Sequence, residues 1–418
     1  MKKNLSAKEY VYVASMLFGL FFGAGNLIFP VHMGQLAGRN IIPAVIGFII
    51  TGVGLPLMGV AALGVSRCSG LYELSSSRVS HPYAMFFTCV LYLTIGPFFA
   101  IPRCATVSFS VGLENILPAG HAKLCLLLFS AAFFAAVLYF SLRPGKILIY
   151  VGKVLNPVFL AFLAILVIVA LLSPSASAFS VEPAGDYVSQ PLFTGLLDGY
   201  NTMDALASLA FGIVVIQVIR SLGIKRADDV SSCTVRAGIF SCLLMALIYL
   251  AVTVVGAQSR GAFETSANGG IALAQIAQHY LGGAGLFVLA ATVTLACLKT
   301  AVGLTTSCAE TFVQLFPKAL GYRGWAVLFA AVSFLFANVG LSAIIEYAVP
   351  VLMLLCPLAV VLITLTLFGR LFGDDSRVFR WAIGLTIPAA LPDGVIAALH
   401  LEGFNLAVNT YLPLARLG

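Results

Sequence analysis

Runs of about 20 apolar residues recur along almost the whole of this 418-residue chain. A helix of that length is what it takes to cross the hydrocarbon core of a bilayer. In that solvent every backbone amide must be satisfied within the segment, so repeated runs of this kind commit the chain to an all-α integral membrane fold. Composition agrees, with 61% hydrophobic and 9% charged residues against about a quarter charged in an ordinary soluble domain. No polar block is large enough for a second folded domain, so residues 1–418 read as a single membrane domain.

The runs predict helices at about 10–36, 41–65, 82–112, 123–141 and 147–172. A polar stretch follows, with Ser173-Pro174-Ser175 and Glu182-Pro183-Ala184-Gly185-Asp186. Five more helices are predicted near 191–219, 232–257, 284–309, 325–342 and 345–369, and an eleventh near 378–400. The tail from Phe404, interrupted by Pro413 and Arg416, is too short to cross. The basic start, Met1-Lys2-Lys3, resembles a signal-peptide n-region, but no convincing cleavage site follows it, so it reads as the opening of a retained first helix.

A cytoplasmic N-terminus puts 17 of the 23 basic residues on the cytoplasmic side. Arg39, Lys123, Arg260 and Arg416 fall outside, and Arg103 and Lys299 lie within the membrane. That bias sets the orientation, and eleven crossings then put the C-terminus outside. The net charge of +7 is scattered through short loops, not gathered in a basic stripe, so a nucleic-acid partner is not expected. Nine cysteines lie singly with no Cys-x-x-Cys pair, and five histidines are equally dispersed. They read as packing residues, and no cofactor or structural metal site is expected.

Two consecutive sets of five spans must enter the membrane in opposite directions, so any repeat between them (about 10–172 and 191–369) is inverted. In transporters of that plan the first helix of each half is broken near the midplane. Gly23-Ala24-Gly25-Asn26 interrupts the first span. Gly195, Asp198, Gly199, Tyr200, Asn201, Thr202 and Asp204 interrupt the sixth. Freed backbone groups at that depth become ligands for a substrate or ion. Small-residue helix packing is the competing explanation for a lone Gly-x-Gly; the matching interruption in the sixth span favours a site. Asp198 and Asp204 are costly inside a span, at about 2.5–3.5 kcal/mol each on insertion scales. Arg103 is a candidate ion-pair partner for Asp204 or Asp198; alternatively it approaches the interface and pairs with Glu114.

At these positions the sequence resembles the branched-chain amino acid:cation symporter family (BrnQ/LIVCS), over nearly the whole chain. The resemblance rests on Phe21-Phe22-Gly23-Ala24-Gly25-Asn26-Leu27-Ile28-Phe29-Pro30, on Gly96-Pro97 with Ile101-Pro102-Arg103, and on Thr106-Val107-Ser108-Phe109. Further matches are Pro144-Gly145-Lys146, Gly199-Tyr200 with Thr202-Met203-Asp204-Ala205, Phe211-Gly212-Ile213, Ser266-Ala267-Asn268-Gly269, and Ala301-Val302-Gly303-Leu304 before Cys308-Ala309-Glu310.

The resemblance implies a LeuT-like 5+5 inverted repeat in a bacterial inner membrane, with discontinuous first and sixth helices. It also implies cation-coupled uptake of branched apolar amino acids: leucine, isoleucine, valine and methionine. The substrate carboxylate would meet Gly23, Ala24, Gly25 and Asn26. Gly199, Tyr200, Asn201 and Thr202 would receive the ammonium and wall the pocket. In sodium-coupled relatives a cation lies between first-helix carbonyls and an Ala-x-x-hydroxyl-hydroxyl pattern on the eighth helix. That register falls on Gly19 and Phe22, with Ala296, Lys299 and Thr300. Lys299 departs from it: its ammonium would replace or repel Na⁺, and a buried lysine is also a carrier for a coupled proton. The family often has a twelfth span, which this chain does not reach.

Three other functions fit the sequence less well. A membrane enzyme would need a nucleophile or metal constellation that is not visible. A channel would need a repeated pore loop, and a sensor a soluble domain. A transporter of another small zwitterion or of a nucleobase on the same fold is the runner-up. The sequence leaves oligomeric state open.

Overall fold

The computed structural model describes residues 2–114 and 121–399, so the tail from Phe404 lies outside the described residues. Among them every regular element is helical. Eight helical stretches, from Gly25–Ser66 to Ala348–Phe372, are long and apolar enough to cross a membrane. Large apolar side chains face outward along them, among them Leu172 at 78% exposure and Phe287 at 69%. A surface this apolar is at rest only against lipid or another apolar face.

The first apolar run is two helices. Helix α1 (Ala7–Phe21) starts from a capping box. There the Ser6 hydroxyl accepts from the Glu9 amide, and the Glu9 carboxylate accepts from the Ser6 amide at 2.7 Å, satisfying two of the donors that a helix start leaves unpaired. Helix α2 (Gly25–Ala37) resumes after Phe22, Gly23 and Ala24. The second run is α3 (Ile41–Ile49), continuing through a widened π-helical turn at Ile50–Gly54 into α4 (Leu55–Ser66).

A short helix that the apolar-run reading did not foresee, α5 (Leu71–Arg78), leads to α6 (His81–Leu93). Gly96 and Pro97 break the ladder beyond α6, and α7 (Ala100–Gly112) completes that stretch. Helices α8 (Ala122–Ser141) and α9 (Asn156–Leu172) follow, α9 preceded by a π-helical segment at Leu148–Leu155.

The second half opens with α10 (Pro191–Tyr200) and α11 (Asp204–Ser221), separated by Asn201, Thr202 and Met203. Met203 takes a left-handed backbone at φ 61°, a costly conformation for a non-glycine residue. The long α12 (Ala227–Ser259) and α13 (Gly269–Leu315) come next. The predicted eighth helix began at residue 284; α13 starts fifteen residues earlier, with Asn268 capping the Gly270 and Ile271 amides at 2.9 and 3.0 Å. It turns at Gly282, whose φ of 59° the absence of a Cβ permits. Helices α14 (Tyr322–Ala337), α15 (Leu341–Phe368) and α16 (Ser376–Leu399) are the last among the described residues.

Two helix pairs set the spacing around the breaks. Helix α2 lies on α12 through Gly34 and Gly256: a Cβ on Gly34 would collide with the Thr253 carbonyl oxygen, and one on Gly256 with that of Val31. Helix α10 lies on α3 in the same way, Gly47 against the Leu192 carbonyl and Gly195 against that of Ala44. Backbones this close gain dispersion contacts that longer side chains would prevent. The Thr51 hydroxyl ties the second pair further, donating to the Leu196 carbonyl at 2.6 Å. The connection between α9 and α10 folds back over the end of α2, with the Arg39 amide donating to Val181 and the Ala184 amide to Leu36, each at 2.8 Å.

Candidate functional site

Both interruptions border one cavity, of about 720 Å³ when the open space at its mouth is included. Its walls are mostly apolar, including Leu20, Ile95, Phe99, Ala207, Phe211 and Leu304. The polar part of its lining comes from Gly23, Gly25 and Asn26 at the first break and Thr202 and Asp204 at the second, with Thr300 and Arg103.

The first break is held by a single buried side chain. Asn26 accepts from the Gly23 amide at 2.9 Å, donates to Asp204 Oδ2 at 2.6 Å and donates to the Tyr249 hydroxyl at 2.5 Å. It thereby ties α2 to α11 and α12. Below the break the α1 ladder ends with Phe22 N–H on Phe18 O and Gly23 N–H on Phe21 O, each at 2.8 Å. Above it the first amides of α2, those of Gly25 and Asn26, lack helical acceptors and carry the positive end of the helix dipole. That is an anion cradle of the kind helix N-termini supply.

Gly23 and Gly25 differ from the packing glycines. The nearest atoms to a Cβ placed on them are Thr300 Oγ1 at 3.5 Å and Phe29 Cε2 at 3.6 Å, ordinary van der Waals distances. Helix packing therefore does not demand glycine at either position; both face the cavity. Gly199 behaves in the opposite way. A Cβ there would strike the Phe48 carbonyl and the Thr51 hydroxyl, so it belongs to the α3–α10 contact and not to the cavity wall. Tyr200 and Asn201 also stand off the wall, and Thr202, Met203 and Asp204 represent the second break there. Of the four sixth-span residues expected in the pocket, the structure brings Thr202. Its hydroxyl donates to the Gly199 carbonyl at 2.8 Å.

Arg103 and Asp204 line the same cavity without forming an ion pair among the described residues. The Arg103 guanidinium stacks over Phe99, 5.3 Å from the ring centre, while the Asp204 carboxylate takes the Asn26 amide. Asp198 is likewise held elsewhere, accepting from the Tyr187 hydroxyl at 2.5 Å.

Lys299 is wholly buried and turns toward α1 and α9. Its ammonium donates to Asn156 Oδ1 at 3.0 Å and lies 3.5 Å from the centre of the Phe159 ring, 4.9 Å from Phe18 and 5.6 Å from Phe22. Three ring faces and one amide oxygen stabilise the charge. The network continues: Asn156 Nδ2 donates to Ser15 Oγ at 2.9 Å, and Ser15 donates to the Gly152 carbonyl at 2.7 Å. Gly19 closes the same corner, with a Cβ there 3.4 Å from Asn156. Thr300, one residue on, faces the cavity with a buried hydroxyl that has no hydrogen-bond partner among the described residues. Of the expected cation register, Gly19, Phe22, Ala296, Lys299 and Thr300, the structure brings Gly19 and Phe22 to the Lys299 corner and turns Thr300 to the cavity.

Sequence reasoning missed Asn156 and Tyr249, the two polar groups that complete these networks. Each is a lone polar residue in an apolar run, and Asn156 precedes Pro157; that was the available signal.

Comparison with known proteins identifies the family. Residues 6–418 match the family model described as branched-chain amino acid transport protein. The branched-chain amino acid permease BrnQ of Lactobacillus delbrueckii subsp. lactis is 52% identical over 422 residues, covering 100% of this chain and 94% of that protein. The branched-chain amino acid transport system 2 carrier protein of Pseudomonas aeruginosa is 40% identical, covering 99% and 92%. The Bacillus subtilis permease BraB is 38% identical, covering 100% and 93%. The chain belongs to the branched-chain amino acid transport protein family.

Proposed function

We propose that the chain is a secondary active transporter that takes up leucine, isoleucine, valine and methionine in exchange for the dissipation of a cation gradient. Membership of a family of transport proteins disposes of the enzyme reading. The observation that carries the substrate class is the cavity bordered by the two helix breaks, whose lining combines backbone amides and a carboxylate with a mostly apolar wall. The free amides at the head of α2 receive the substrate carboxylate. Asp204 and Thr202 face the ammonium, and Leu20, Ile95, Ala207, Phe211 and Leu304 receive the side chain. An apolar pocket separates substrates differing by one methylene by only about 1–3 kcal/mol, so the four amino acids compete.

The coupling ion in this reading is the proton. The oxygen ligands that would hold Na⁺ do not suit it here, because the Lys299 ammonium already supplies a unit positive charge beside Phe22 and Asn156. A second cation about 4 Å away would meet a repulsion of about 4 kcal/mol at an effective dielectric of 20. Lys299 then carries the proton.

In the same reading α1 to α16 make eleven crossings in a 5+5 inverted repeat, with the N-terminus in the cytoplasm of a bacterial cell and the eleventh crossing ending outside. The two interruptions support it: in the order of the repeat α1 corresponds to α10 and α2 to α11, so the break at Phe22, Gly23 and Ala24 is the counterpart of the one at Asn201, Thr202 and Met203.

A competition panel in reconstituted vesicles, with Na⁺ and pH gradients imposed separately, tests both parts. Uptake driven by pH alone and competed by the four apolar amino acids is expected. Strict Na⁺ dependence would overturn the proton assignment, and failure of all four to compete would overturn the substrate class.

A further inference from the structure

Gly96 and Pro97 end the helical ladder ahead of α7, and α7 restarts from Phe99, whose carbonyl accepts the Arg103 amide at 2.9 Å. Phe99, Ala100, Arg103, Cys104 and Val107 recur at helical spacing and all line the cavity, so one face of α7 forms part of its wall. In that lining Arg103 is the one cation and Asp204 the one carboxylate among the described residues.

Neither charge is neutralised by another side chain. Asp204 takes the neutral Asn26 amide. The Arg103 guanidinium lies over the Phe99 ring, 5.3 Å from its centre, and makes no hydrogen bond or ion pair among the described residues. Glu114, the other carboxylate on its side of the chain, borders a separate cleft. A ring face stabilises a guanidinium only in part, and a charge held away from bulk water without a counter-ion is costly. An anion entering the cavity supplies that counter-ion. The planar fork of a guanidinium fits the two oxygens of a carboxylate with parallel hydrogen bonds.

We propose that Arg103 binds the carboxylate of the transported amino acid and makes a carboxylate a requirement for tight binding. The assignment rests on the substrate reading above and deepens it: the amides at the head of α2 are neutral donors, whereas Arg103 brings a full positive charge. Its long side chain leaves the Phe99 ring for the ligand, while Asp204 remains for the ammonium. The ligand also displaces water from the cavity, which strengthens the attraction between the two charges. A ligand without a carboxylate leaves the guanidinium desolvated and unpaired, a mismatch that discriminates more sharply than a methylene does. Leucine and leucinamide share a side chain and an ammonium and differ in the carboxylate, so Arg103 tells them apart.

The test is a comparison of ligands as well as of proteins. Leucine and leucinamide are titrated calorimetrically into the full-length wild type, Arg103→Gln and Arg103→Lys in nanodiscs, and thermal unfolding of the same samples reports the fold. Arg103→Gln should weaken leucine about tenfold or more, the worth of a hydrogen bond to a charged group, while leucinamide stays within about threefold of its wild-type affinity. Arg103→Lys keeps the charge and loses the fork, so it should restore part of the leucine affinity. Should Arg103→Gln fail to fold, Arg103→Lys carries the comparison, with leucine weakened and leucinamide unchanged. Equal losses for the two ligands would mark Arg103 as a structural residue and overturn the assignment, as would leucine binding that survives Arg103→Gln undiminished; both results leave the substrate reading standing. A wild type that binds none of the four apolar amino acids would instead remove the substrate reading, and this assignment with it.

Discussion

Replacing Asn26 by alanine removes three hydrogen bonds from one buried point: the 2.9 Å bond from the Gly23 amide, the 2.6 Å bond to Asp204 and the 2.5 Å bond to Tyr249. A neutral bond contributes about 1 kcal/mol and one to a charged group about 1.5–3, so together they favour the pinned break by roughly 4 kcal/mol. Since 1.4 kcal/mol is a factor of about ten, Asn26→Ala should weaken leucine binding by two to three orders of magnitude. Tyr249→Phe removes one of the three partners and should cost about fivefold. Scintillation proximity binding on purified protein in nanodiscs measures both, and thermal unfolding in the same preparation separates a lost site from a lost fold. A folded Asn26→Ala protein that binds leucine within threefold of wild type would refute the argument that this side chain assembles the site.

The glycines divide by mechanism: Gly25→Ala should leave the unfolding temperature unchanged while lowering leucine affinity tenfold or more, because the new methyl enters the cavity, whereas Gly34→Ala should fail to give folded protein because it parts α2 from α12. Lys299→Met places apolar bulk where a buried charge stood. Replacing buried charge this way is often neutral or stabilising, so thermal stability should hold or rise while pH-driven accumulation in vesicles disappears. Asn156→Ala, by contrast, leaves the ammonium with rings alone and should destabilise the protein by about 2 kcal/mol in denaturant unfolding. Ala207→Val narrows the apolar wall, so leucine should lose about tenfold against valine in competition uptake.

How much of this was legible in the sequence varied with the range of the interaction. The break at Gly23–Asn26 was readable because glycine and asparagine at mid-span are a local anomaly, and the interruption of the sixth run was readable for the same reason. What each residue does there was not. Gly199 and Gly25 look alike in sequence, yet one meets the Phe48 carbonyl of another helix and the other opens onto the cavity. That difference is set by which helix lies opposite. The Asp204 partner escaped likewise: complementary charge pointed to Arg103, and the structure chose Asn26, 178 residues away in sequence. The early start of α13 was hidden because Gly269, Gly270, Gln275, Gln278 and His279 dilute its first turns below the apolar pattern of a span.

The two classes of glycine also bear on how such a site can move. Where glycines bring backbones into contact, at Gly34 and Gly256 and at Gly47 and Gly195, a small separation forfeits many dispersion contacts at once, so α2 moves with α12 and α10 with α3. At Gly23 and Gly25 no such contact exists, and the break is held by the replaceable hydrogen bonds of Asn26. The compliance of the protein is thereby concentrated at the two interruptions, between pairs that are themselves stiff. A substrate carboxylate arriving at the α2 amides acts at that compliant point, which is where a modest binding energy can shift the balance between conformations. Lys299 sits beside the same point, against Phe18 and Phe22 of α1. Removing its proton would abolish the attraction between its charge and those rings, so under the proposed function substrate and proton would act on one short stretch of backbone, and that shared stretch would be a physical route for their coupling.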